Sequence, residues 1–129
     1  MIYTVTLPAQ AAAGPDAVVV AGVYSQAFYS GDTVTDLQIV APAAYPATTG
    51  TAAGNVTISV RQRQNGVVVA TLGTLTLGAG TTLSAETAVP IPVGAQPILQ
   101  PGDILDVVLH QNGTGQDLTA GLMVSIFIS

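Results

Sequence analysis

A chain of 129 residues with two arginines, no lysine and seven carboxylates has a formal net charge of −5, and only 7% of its residues are charged. Two cations cannot neutralise the several phosphates that nucleic-acid binding requires, and they offer no attraction to an anionic membrane surface. The absence of cysteine excludes disulfides, thiolate zinc sites, iron–sulfur clusters and a cysteine nucleophile together.

The length suits one folding unit. Mean hydropathy is +0.58, yet the longest apolar runs, Ala17–Val23 and Leu122–Ile128, fall well short of the ~20 residues of a spanning helix. The start, MIYTVTLPAQ, has no basic region and no long apolar stretch, so no signal peptide is expected. Fourteen glycines and eight prolines interrupt segments rich in Val, Ile and Thr, which is the pattern of an all-β sandwich or barrel.

In chain order, the first expected strand is Ile2–Leu7. The stretch AQAAAGPDA has helical alanines, but Pro8, Gly14 and Pro15 limit any helix to about one turn. Residues 1–17 are therefore read as an N-terminal strand or arm with a linker, and residues 18–129 as the sandwich. Strands follow at Val18–Tyr24 and Thr33–Val40. The long uncharged loop Ala41–Gly54 is the best candidate for a contact loop, because loops beyond about 12 residues tend to be functional.

Alternation is clearest in GNVTISVRQRQ, where Val56, Ile58 and Val60 point one way and Thr57, Ser59, Arg61 and Arg63 the other. Asn65-Gly66 then makes a two-residue turn, and VVVATLGTLTL returns as the partner strand. Further strands are expected at Thr82–Ile91 and Ile104–His110. The last strand turns Leu122, Val124, Ile126 and Ile128 inward, with Met123, Ser125 and Phe127 on the other face. About eight strands make an antiparallel β-sandwich of jelly-roll or Greek-key type.

Three side chains with chemistry, Asp103, Asp106 and His110, lie close together in LQPGDILDVVLHQNGTG. A helix would place Asp106 and His110 on one face, as metal ligands often are. Pro101-Gly102 before the run, Asn112-Gly113 after it and the aliphatic interior favour a strand instead. On a strand, Asp106 and His110 lie ~13 Å apart and Asp103 points to the opposite face. The expectation is that Asp103 caps the strand entry while Asp106 and His110 are solvated, with no catalytic residues, metal or cofactor. Asp103 and Asp117 have calcium-ligand chemistry, but nothing in their spacing favours a site. GTGQDL and GAGTTL lack the Gly-Lys-Ser/Thr ending of a phosphate loop. Asn55-Val56-Thr57 and Asn112-Gly113-Thr114 match the glycosylation pattern, yet read better as strand-edge and turn residues. No GxSxG elbow supports a serine nucleophile, and an enzyme is not expected.

The order DLQIVAP, a tyrosine-containing loop, NVTISVRQRQNGVVVATLGTLTL and LQPGDILDVVLHQNGTGQDLTAGLMVSIFIS resembles small β-sandwich structural proteins of tailed bacteriophages. The likeness runs from about Asp36 to Ser129 and consists of strand and turn residues. It implies a head decoration or minor capsid protein, made in the host cytoplasm and bound to the exterior of the virion capsid. Its implied partners are the major capsid protein and further copies of itself, commonly as a trimer, with neither nucleic acid nor membrane. On that reading the contact residues are Ile2, Tyr3 and Val5 of the first strand, which pairs with the shell or a neighbouring subunit, and Tyr45 and Pro46 of the long loop. The alternative is a glycan- or receptor-binding sandwich on a head fibre or tail. Tyr24, Tyr29 and Asp32 would then form the glycan contact; core burial is the competing assignment for Tyr24 and Phe28.

Overall fold

The computed structural model describes residues 1–25, 31–43, 51, 53–78, 81 and 83–129. Its eight strands are β1 (Ile2–Thr6), β2 (Ala17–Val23), β3 (Val34–Val40), β4 (Gly54–Gln64), β5 (Val67–Leu77), β6 (Val89–Pro90), β7 (Ile104–Gly113) and β8 (Met123–Ile128). They form two four-stranded sheets in the orders β1-β8-β3-β6 and β2-β7-β4-β5. Neighbours in both sheets run antiparallel. The chain is an antiparallel β-sandwich, and no helix occurs among the described residues.

The alternation works as expected. Val56, Ile58 and Val60 of β4, Leu105, Val107 and Leu109 of β7, and Val124, Ile126 and Ile128 of β8 all join one buried cluster. Leu37 and Ile39 of β3 complete its centre. The β4–β5 turn places Asn65 at φ 51° and Gly66 at φ 80°, the pair of positive angles that a tight hairpin turn needs.

One expectation needs correction. The strand expected over Thr82–Ile91 contracts to Val89–Pro90; Thr82 itself lies outside the described residues. Pro90 and Pro92 have no N–H for a ladder, and the preceding residues turn, with Glu86 at φ 54°. Within residues 1–17 the expected strand is present as β1, and the stretch that follows it is tied to the sandwich. β1 pairs with β8 of its own chain, and Gln10 bridges to Leu118 through both backbone groups. The Gln10 side chain donates to the Leu109 and Pro15 carbonyls, each at 3.0 Å, and accepts from Gln111 Nε2 at 2.8 Å. Buried polar groups need such partners, so this network ties the segment before β2 to the end of β7.

The chain makes contacts with itself at both seams between the sheets. On one side, the Tyr3 hydroxyl donates to the Val23 carbonyl at 2.8 Å. The Tyr3 ring lies so close to Gly22 that a Cβ there would meet it at 2.8 Å. On the other side the chain leaves β6 and crosses to β5. Ile91 N donates to Leu37 O at 2.8 Å and Gly94 N to Leu72 O at 2.7 Å. A Cβ on Gly73 would sit 2.7 Å from the Pro92 carbonyl oxygen, so the crossing requires glycine there. Contacts of this kind occupy part of each edge and disfavour strand pairing there.

Candidate contact face

The outward face of the β2-β7-β4-β5 sheet is built by register. Three rows cross it: Val23–Ile104–Arg63–Val68, Val20–Asp106–Arg61–Thr71 and Val18–Val108–Ser59–Thr74. Strict alternation along β2 would turn Val23 away from Val18 and Val20. A bulge between Val20 and Gly22 inserts Ala21 and returns Val23 to their face. Val18, Val20 and Val23 are 49%, 59% and 53% exposed. At the hairpin tip Val67, Val68 and Val69 are also exposed. These valines, with Ile104 and Val108 beside them, give a sheet surface that is apolar along β2 and at the tip.

Both cations of the chain lie on this face. Arg61 clamps Asp106 with two bonds, Nε to Oδ1 at 2.9 Å and Nη2 to Oδ2 at 2.8 Å. Arg63 Nη1 stands 3.6 Å from the same carboxylate. Asp106 is 1% exposed, which corrects the expectation of a solvated side chain. The cause is cross-strand register: Arg61 lies directly opposite and spreads its planar fork over the carboxylate. That bond raises the Arg61 pKa further, against a smaller lowering by partial burial. Two guanidinium groups face the Asp106 carboxylate here, and the Asp16 charge also acts on Arg61.

The other members of the acidic run stay apart. Asp103 caps the strand entry as expected, its Oδ2 accepting from Gln100 N at 2.8 Å and from Gln62 Nε2 at 2.5 Å. His110 is exposed, and its Nδ1 lies 2.7 Å from Asp16 Oδ1, not near Asp106. Among the described residues no three His, Asp or Glu side chains are grouped to hold a metal ion.

The expected contact and glycan residues are dispersed. Ile2 is 57% exposed, but on the opposite sheet from the valine rows, and Val5 belongs to the core. Tyr3 is held against Gly22 and Val23. β1 pairs along one edge with β8 of its own chain. Tyr45, Pro46, Tyr29 and Phe28 lie outside the described residues. Tyr24 is fully buried, so it is no stacking platform for a sugar. Its hydroxyl donates to Asp32 Oδ2 at 2.6 Å. This bond, then burial, then the Asp32 charge push the Tyr24 pKa up to about 12.

Sequence reading missed the valine face. A signal was present: AVVVAGV and VVVA hold consecutive valines with no polar residue between them, more than one buried face can absorb. No family model, curated protein or solved structure matches this chain.

Proposed function

We propose that this chain is a structural protein of a tailed-bacteriophage virion, a capsid decoration protein that docks as an oligomer, a trimer by resemblance, on the outside of the shell. The observation that supports this reading is the face just described. Exposed aliphatic side chains aligned across a rigid sheet and flanked by arginines have the composition of a protein-contact surface. Apolar patches of this kind on a folded domain mark interaction sites. A sandwich with a well-packed core between two sheets suits a part that stabilises a shell by burying surface. The strand and turn pattern from Asp36 to Ser129 supplies the virion assignment.

Quantitative mass spectrometry of purified particles from the source, scaled to the major shell protein, tests the proposal. A copy number comparable with the shell protein supports decoration. A few copies per particle would replace it with a fibre or receptor-binding role, and complete absence would overturn the virion assignment.

A further inference from the structure

A second feature lies at the hairpin-tip end of the sandwich, beside the Val23–Ile104–Arg63–Val68 row. Between the β4–β5 hairpin turn and the Gln100–Asp103 turn lies an open cleft of about 330 Å³, lined by Gln64, Asn65, Gln100, Pro101, Gly102 and Asp103. We propose that this cleft is a binding site for a single sugar ring or a similar polyhydroxylated ligand. The inference is independent of the assembly role proposed above.

The lining carries the argument. Asp103 is 2% exposed, and its two side-chain bonds both fall on Oδ2. Gln64, Asn65 and Gln100 bring three carboxamides to the cleft. Each can donate and accept at once, as a row of sugar hydroxyls requires. A buried carboxylate supplies a strong acceptor for a hydroxyl pair, and the Pro101 ring offers an apolar surface to a sugar C–H face. The volume lies at the small end of ligand pockets, roughly 300–1,000 Å³, so it suits one ring.

A divalent cation fits less well. Calcium takes about 6–8 oxygen ligands, usually including several carboxylates, and this cleft has one. The Arg63 guanidinium, bonded to the Gly66 carbonyl of the same turn, adds a positive charge nearby. A nucleotide phosphate would in turn face the Asp103 carboxylate.

The test is an amide chemical-shift titration of the full chain with glucose, galactose and N-acetylglucosamine, each into the high millimolar range, and separately with calcium chloride. Saturable shifts at residues 64–66 and 100–103 with at least one sugar are expected. Gln100→Ala and Gln64→Ala remove side chains outside the core, so the remaining spectrum should be unchanged while binding weakens about tenfold. Shifts with calcium alone, no saturable shift with any sugar, or sugar shifts insensitive to both variants would each overturn the proposal.

Discussion

Arg61 and Asp106 face each other across β4 and β7, and the guanidinium fork holds both oxygens of a carboxylate that is 1% exposed. The pair lies on the side of the sheet away from the core. Its neighbours in the row are Val20 on one side and Thr71 on the other.

Arg61→Ala leaves that carboxylate buried with Arg63 as its remaining cation, 3.6 Å away. Breaking a fully buried pair costs about 3–5 kcal/mol. Arg61 is 19% exposed and Arg63 compensates in part, so the expected loss is about 2 kcal/mol. Urea denaturation of the variant against the parent measures it. The double change Arg61→Leu with Asp106→Leu should recover most of the loss, since it removes both charges. A cost within about 0.5 kcal/mol for Arg61→Ala would mean the pair is not a stabilising contact.

The Tyr24–Asp32 bond gives a stability change at high pH. The hydroxyl donates only while protonated, and folding raises its pKa from 10.0 to about 12. A group whose pKa is raised by folding contributes stability that is complete below its unfolded pKa. That contribution is lost as pH rises through the folded value. Unfolding midpoints should therefore fall between about pH 10 and 12 in the parent. Tyr24→Phe should be less stable at neutral pH and should lack this component of the alkaline decline. An identical alkaline profile in the two proteins would show that the bond makes no contribution.

The valine face predicts self-association that depends on exposed side chains. Val20 and Val68 are 59% and 41% exposed, so Val20→Glu with Val68→Glu should shift unfolding stability by no more than about 0.5 kcal/mol per site. The same double change should convert an oligomer in sedimentation velocity to a monomer, because it places charged, hydrated side chains in an apolar contact that would have to desolvate them. Oligomers that survive it would place the contact elsewhere.

The sequence by itself determined the strands whose side-chain pattern is local. Alternation in β4 and β8 survives intact because a strand with one buried face has a period of two, and that period is written in adjacent residues. The hairpin turn was equally legible, since Asn-Gly is the pair that accepts positive φ at both positions. Tertiary structure decided what depends on partners far along the chain. Asp106 reads as a solvated residue of a polar face until β4 is placed beside β7 and brings Arg61, 45 residues away, into register. One inserted residue at Ala21 turns Val23 to the face of Val18 and Val20, a choice made by pairing with β7. The segment before β2 reads as a linker because its anchors, Leu109, Gln111 and Leu118, lie about a hundred residues later. Periodicity is a property of neighbours in sequence, whereas burial and charge pairing belong to neighbours in space.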